Sequence, residues 1–197
     1  MSGQYFENND NLKSDIHKFS YYYKGKEIFF FSDNGVFSKN KIDFGSNLLL
    51  KSLKINEGDN ILDVGCGYGT IGVTVALMNP KSKVTMIDVN ERAIKLTEMA
   101  IEENNIQNAQ CFISNMYEKI DCQFNLIITN PPIRAGKIIV HSILKDALDH
   151  LKEDGRIIAV IQKKQGAPSA IKMMEECYKK VSIINSDKGY LIIEGLK

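Results

Sequence analysis

The stretch Asn60-Ile61-Leu62-Asp63-Val64-Gly65-Cys66-Gly67-Tyr68-Gly69-Thr70-Ile71-Gly72 is an apolar run ending in an acid, then three glycines at alternate positions, then a helix-like pattern. It predicts a buried parallel strand that turns tightly into a helix whose free N–H groups face the turn. Glycine suits such a turn because a Cβ would intrude on a closely approaching ligand and because φ there is often positive. The loop is of the kind that holds a nucleotide-like ligand.

Downstream, strands and helices alternate, which argues for an α/β sheet. Strands are expected at 60–64, 83–89, 109–114, 124–129 and 156–162, and helices at 70–78, 90–104, 136–151 and 168–178, with Asn90 as a cap and Asp154-Gly155 as a stop. The last two strands, 181–185 and 190–196, are joined by only Ser186-Asp187-Lys188-Gly189. So short a link makes a hairpin and cannot make a parallel crossover, so the sheet ends in an antiparallel pair. Upstream, FSYYY and EIFFF around Lys24-Gly25-Lys26 read as a β-hairpin, Asp33-Asn34-Gly35 as a turn, Val36-Phe37-Ser38 as a short extended piece and 43–54 as a helix burying Leu48, Leu49 and Leu53. Most of the hairpin aromatics read as glue to the core, with Phe37 set apart as a candidate for more. Residues 1–17 are polar and are expected to fray.

At 197 residues, a single domain is expected, with 1–55 as an N-terminal hairpin and helix extension and 56–197 as the ligand-binding core. Hydrophobic residues make up 44% and charged residues 25%, and no apolar run reaches the ~18 residues of a membrane span, so a cytoplasmic protein away from membranes is expected. Cys66, Cys111, Cys122 and Cys177 are scattered without a CxxC pair; they read as reduced packing residues, with no metal site. A net charge of +1 excludes a polycationic nucleic-acid coat, although residues 132–197 hold 12 Lys/Arg against 8 Asp/Glu, which leans the last third basic.

Gly67-Tyr68-Gly69-Thr70-Ile71-Gly72 matches the GxGxxG of dinucleotide-binding folds, a weak signal alone. Two features pull away from NAD. Asp63 directly before the loop would be out of place beside a pyrophosphate, but suits an amino group met directly or through water. The terminal antiparallel hairpin is foreign to the usual dinucleotide sheet. Asp88, ending the second strand, suits the two hydroxyls of a ribose with either cofactor.

These residues resemble the class I S-adenosylmethionine-dependent methyltransferases over about residues 30–197. The resemblance rests on DVGCGYG, on Asp88 and on Asn130-Pro131-Pro132-Ile133 after the fourth strand. It implies a Rossmann-like α/β fold with a seven-stranded, mostly parallel sheet. It further implies that S-adenosylmethionine is held by Asp63, Gly65, Gly67, Gly69, Asp88, Val89, Asn115, Met116 and Asn130. Asn130, Pro131 and Pro132 become the catalytic candidates. An exocyclic base amine is a poor nucleophile because its lone pair is delocalised into the ring. The Asn130 side-chain oxygen and the Pro131 carbonyl could accept both amine hydrogens, and the prolines stiffen the loop that presents them.

NPPIRAGK, with VFSKNKIDFGS upstream and IQKKQGA after the fifth strand, resembles the short single-domain relatives of the small-subunit rRNA guanine-N2 methyltransferases. Larger members carry a second, degenerate copy of the fold; self-association is a candidate substitute here. The resemblance implies RNA as the partner, in rRNA or a ribosomal subunit, and a methyl group placed on guanine N2. Substrate candidates are Phe37, Ile133, Arg134, Lys137, Lys163 and Lys164. Two residues depart from the wider pattern. Ile133 replaces an aromatic that would stack on the target, a face for which Phe37 is the candidate, and Asn115 replaces an Asp. The alternatives are glutamine N5 methylation of a protein, which uses the same Asn-Pro-Pro chemistry, an NAD-linked dehydrogenase, and a cofactor-binding protein without turnover. Cytosine C5 methylation needs a cysteine nucleophile, and none of the four follows a proline near the fourth strand.

Overall fold

The computed structural model describes residues 13–36 and 41–197. The expectations at Phe37 and Ser38, and on residues 1–12, lie outside the described residues. The chain begins with an antiparallel hairpin, β1 (His17–Tyr23) and β2 (Lys26–Ser32). Its two-residue turn puts Lys24 and Gly25 at φ +46° and +81°, the geometry that matches the twist of paired strands. Helix α1 (Phe44–Ser52) follows, and then β3 (Asn60–Val64), α2 (Thr70–Met78), β4 (Lys83–Asp88), α3 (Glu91–Glu103), β5 (Ala109–Ile113) and β6 (Phe124–Thr129). After β6 come α4 (Lys137–Asp146), β7 (Leu151–Gln162), α5 (Ala167–Glu175), β8 (Lys180–Asp187) and β9 (Tyr190–Leu196).

Seven strands form one sheet in the order β5-β4-β3-β6-β7-β9-β8. The pairs β5–β4, β4–β3, β3–β6 and β6–β7 are parallel, and β9 runs antiparallel to both β7 and β8. The expected hairpin is present, with its second strand inside. β9 buries Ile192 and Ile193 completely, whereas β8 (KVSIINSD) is largely exposed and suits an edge. This is the mostly parallel, Rossmann-like sheet that the sequence predicts. β3 and β6 are neighbours in the sheet and far apart in sequence, so the crevice of the fold opens above their carboxyl ends. Thr129 Oγ1 ties the two ends together by donating to the Val64 carbonyl at 2.9 Å.

Several boundaries move, each for a physical reason. β7 begins at Leu151 rather than 156, because Asp154-Gly155 sits inside the strand where its register with β6 shifts, instead of ending a helix. Asp154 takes φ +60°, and a Cβ on Gly155 would lie 2.8 Å from the Lys152 carbonyl oxygen. The helix before it is α-helical only to Asp146 and ends as a 3-10 turn. α1 starts after Asp43, which caps it, and buries Leu48, Leu49 and Leu50, with Leu53 only partly buried. The segment expected to fray to residue 17 is anchored from Ser14 onward. Ser14 Oγ and the Asp15 N–H both donate to the Asp33 carboxylate, which Arg92 also binds at 3.2 Å.

The hairpin packs on the core through its aromatics: Phe19 and Phe30 place their rings 5.9 and 6.2 Å from Tyr68 of the glycine loop. The four cysteines are free thiols; Cys122 is exposed and so does not pack the core. No helix among the described residues is long and apolar enough to cross a membrane.

The glycines of the loop do different work. Gly72, one turn into α2, faces β4 so closely that a Cβ would lie 2.4 Å from Met86 Cγ and Sδ. Met86 is itself fully buried. Gly72→Ala is therefore expected to cost about 1–3 kcal/mol by overpacking, read as a lower urea midpoint without a change of fold.

Candidate active site

Two cavities open side by side along the carboxyl edge of the sheet. The first, about 200 Å³, is lined by Gly65, Gly67, Asp88, Val89, Asn115 and Met116, among others. The second, about 620 Å³, lies over β6 and β7 and is lined by Pro131, Ile133, Arg134, Lys137, Lys164 and Tyr190, among others. Asp43, Asn130 and Pro132 stand on the wall of both.

The first cavity is built by the β3–α2 turn. Gly65 and Cys66 donate their N–H groups to the Ile87 carbonyl, at 2.9 and 3.0 Å, which folds the loop onto β4. Gly65 and Gly67 take φ +71° and +57°, and a Cβ on either would meet nothing within 4 Å. Their missing side chains thus leave open space on the wall of the cavity. Gly69 is different. A Cβ there would strike Val73 and Thr97 at 2.8 and 3.0 Å, and Gly69 is the cap of α2 rather than part of the cavity wall.

Asp88 ends β4 at the cavity and secures the loop, its Oδ2 accepting from Gly67 N and its Oδ1 from Asn90 N, both at 2.8 Å. The Val89 N–H is a third donor to this carboxylate, which still leaves it acceptor capacity for a ligand. Burial raises its carboxyl above the ordinary range, while these N–H donors oppose the shift.

Asp63 does not line the cavity as the sequence suggested; it lies behind the wall, fully buried. Its Oδ2 accepts from Gly72 N at 2.8 Å, and its Oδ1 has no partner among the described residues. Burial, with a smaller contribution from the charge of Asp88, pushes its carboxyl up to about 7, against the pull of the Gly72 N–H. A buried carboxylate oxygen left unsatisfied is costly and needs explaining.

Asn130 follows β6, with its side-chain nitrogen 3.0 Å from Ser46 Oγ and 3.4 Å from Asp43 Oδ1. The Pro132 carbonyl accepts from Ala135 N at 2.8 Å in the 3-10 turn of residues 133–135. Nothing among the described residues donates to the Pro131 carbonyl. The Asn115 side-chain amide donates to Glu118 Oε1 at 2.7 Å in an exposed contact.

Of the substrate candidates, Ile133, Arg134, Lys137 and Lys164 meet in the second cavity, Lys163 does not, and Phe37 lies outside the described residues. Three residues that the sequence reading passed over belong to the site: Asp43, Ser46 and Tyr190. The DFGS string held a signal for the first two, since Asp43 and Ser46 have N-cap spacing. Tyr190 opens β9 opposite Gln162, the last residue of β7, so antiparallel pairing delivers it to the edge that holds Asn130. Its ring lies 5.4 Å from Phe44, and Lys188 Nζ stands 4.9 Å over Phe44.

A Rossmann-like sheet of this order, with an acid at the tip of its second parallel strand and Asn-Pro-Pro at the tip of its fourth, defines a class I methyltransferase. The model of the methyltransferase small domain family matches residues 27–194, and the chain belongs to that family. With that membership goes S-adenosylmethionine as methyl donor, and the first cavity suits it: an open glycine wall, a carboxylate at a strand tip with acceptor capacity to spare, and an orphaned acid behind.

The chain is 45% identical to the uncharacterized protein YbxB of Bacillus subtilis (strain 168), over the full length of both. It is 33% identical over 165 residues to the ribosomal RNA small subunit methyltransferase C of Aeromonas hydrophila, matching 80% of this chain and 46% of that one. Among solved structures it resembles the T. thermophilus 16S rRNA N2 G1207 methyltransferase, determined with AdoMet and guanosine, at a TM-score of 0.84 and 24% identity. That match covers 92% of this chain and 50% of the other. The chain thus spans about half the length of the rRNA methyltransferases it matches.

Proposed function

We propose that the protein transfers a methyl group from S-adenosylmethionine to an exocyclic base amine in RNA, with guanine N2 of small-subunit rRNA as the target. The observation that carries this is the position of Asn130 on the wall shared by both cavities, its amide nitrogen engaged by α1 and its oxygen left as an acceptor. The bound cofactor supplies an electrophilic methyl on a sulfonium. Asp88 would hold the ribose hydroxyls, and the Asp63 charge, from behind the wall, would draw the ammonium of the methionine moiety through water. Asn115 and Met116 flank the adenine.

On the other side, the Asn130 oxygen and the Pro131 carbonyl accept one amine hydrogen each. This frees the nitrogen lone pair to form the new N–C bond as the C–S bond breaks. The methylated nitrogen is then cationic and acidic, and it gives its extra proton to water. Arg134, Lys137 and Lys164 meet RNA phosphates beside the site. That basic wall has less purpose in a protein glutamine methyltransferase.

Tyr190, rather than residue 133, supplies the aromatic face against which the base packs. Tyr190→Ala is expected to raise the KM for RNA roughly tenfold or more, the scale of one lost base–aromatic stack, and Tyr190→Phe to recover it. Equal KM values in all three proteins would remove Tyr190 from the site.

The target amine is tested with in-vitro-transcribed small-subunit rRNA, naked or assembled into subunits, in which inosine replaces guanosine. Inosine lacks the N2 amine and keeps every other edge group. Label from methyl-labelled S-adenosylmethionine is expected in the guanosine RNA and not in the inosine RNA; equal label in both would contradict guanine N2.

A further inference from the structure

We infer that Asp43 is a positioning residue: the cap of α1 also decides which end of the Asn130 amide faces the second cavity. This rests on the reading of Asn130 as the amine acceptor. An Asn amide has nearly the same shape in either of its two orientations, and only the oxygen-out orientation offers an acceptor to an amine. Ser46 Oγ, at 3.0 Å, does not choose between them, because a hydroxyl both donates and accepts. Asp43 Oδ1, at 3.4 Å, accepts only. The reversed amide would put two oxygens face to face there, so the nitrogen turns toward α1 and the oxygen away from it.

Asp43 cannot swing aside to accommodate the reversed amide. Its backbone is extended, at φ −69° and ψ 158°; the same Oδ1 accepts Ser46 N at 3.1 Å, and its carbonyl accepts Asn47 N at 3.1 Å. Because the Ser46 N–H already points at Oδ1, whatever occupies that position must be an acceptor. Gly45 completes the arrangement. A Cβ there would lie 3.1 Å from both Asp43 Oδ1 and the Tyr190 ring, so the glycine lets the first turn of α1 settle between the acid and the aromatic. Two residues 87 positions apart are thereby coupled: the cap that starts a helix also orients the acceptor.

The test separates capping from orientation. Asp43→Asn keeps an oxygen for both Ser46 N and Asn130; Asp43→Ser keeps a good cap but is too short to reach Asn130; Asp43→Ala loses both. Three readouts are taken: the urea midpoint, the side-chain amide resonance of Asn130 identified by its loss in Asn130→Ala, and transfer of label to small-subunit rRNA. The amide readout needs no RNA. In Asp43→Ser, a near-unchanged midpoint is expected, with a shifted, faster-exchanging Asn130 amide and a kcat lowered roughly tenfold to a hundredfold at unchanged cofactor KM. Asp43→Asn is expected to recover the amide signal and most of the rate lost in Asp43→Ser. An Asp43→Ser protein with wild-type amide and kcat would overturn the inference, as would an Asp43→Asn protein that falls as far, since charge and not acceptor direction would then matter. Full activity in Asn130→Ala would overturn the site reading and this inference with it. Loss there beside a wild-type Asp43→Ser would overturn the role of Asp43 alone.

Discussion

Replacing Asn130 with alanine is expected to lower methyl transfer by a factor on the order of 10²–10³, the scale for removing one pre-positioned hydrogen-bond partner at a reacting centre. Binding of S-adenosylmethionine should change by less than about threefold, because the glycine turn, Asp88 and Asp63 are untouched. The reason lies in placement: Asn130 is the residue on which the two cavities meet, and its amide is braced by Ser46 and Asp43. Calorimetric titration with the cofactor and single-turnover transfer measure the two effects separately. A variant that binds cofactor and transfers at the wild-type rate would show that the amine is oriented elsewhere.

The second large effect falls on Asp63. Asp63→Asn keeps an oxygen for Gly72 N and removes the charge that would face the cofactor ammonium. Affinity for S-adenosylmethionine should fall roughly tenfold to a hundredfold, the range for a hydrogen bond to a charged group. The same residue sets a pH dependence. Its carboxyl ionises at about 7 in the fold against an ordinary value of 3.8, so the native state holds a proton that the unfolded chain has already lost. Between about pH 4 and 7 the unfolded state binds fewer protons, and stability from this group falls as pH rises through that window, with the loss complete above 7. Asp63→Asn should flatten that slope. Cofactor binding selects the ionised form, so wild-type affinity should rise from pH 6 to 8 with release of a proton, seen by titration in buffers of different ionisation enthalpy. A wild-type affinity flat in pH, with Asp63→Asn binding equally well, would place the ammonium away from Asp63.

The parts of the fold legible in the sequence are those written in local patterns. β3, α2 and β6 are bounded by turn glycines, Pro80 and Asn-Pro-Pro, so the apolar runs between them have one reading. Asp88 and Asn130 fall at strand ends, where an α/β sheet puts its ligands, and the structure brings both to the cavities. Local pattern fails where pairing decides. Asp154-Gly155 has the composition of a stop, yet a register shift between β6 and β7 absorbs it inside a strand. Tyr190 reaches the site only because β9 inserts between β7 and β8, a choice made by the burial of Ile192 and Ile193 rather than by Tyr190 itself. The Asp43–Asn130 contact joins elements with no sequence relation. The sequence reads Asp63 as an acid that meets an amino group directly or through water, and the structure buries it behind the wall, because periodicity places a residue along a strand and does not give its depth below a ligand. Phe37, the aromatic that the sequence offers to face the base, lies outside the described residues, whereas Tyr190 lines the second cavity.

One acceptor at the junction of the two cavities orients an RNA base amine toward a methyl donor held in the first. The most direct test incubates the protein with methyl-labelled S-adenosylmethionine and an extract of cells lacking the modification, then separates RNA from protein. Label is expected in RNA, released on digestion as N2-methylguanosine and reduced about a hundredfold or more with Asn130→Ala. Label confined to a protein band would contradict it and assign the Asn-Pro-Pro site to a side-chain amide instead.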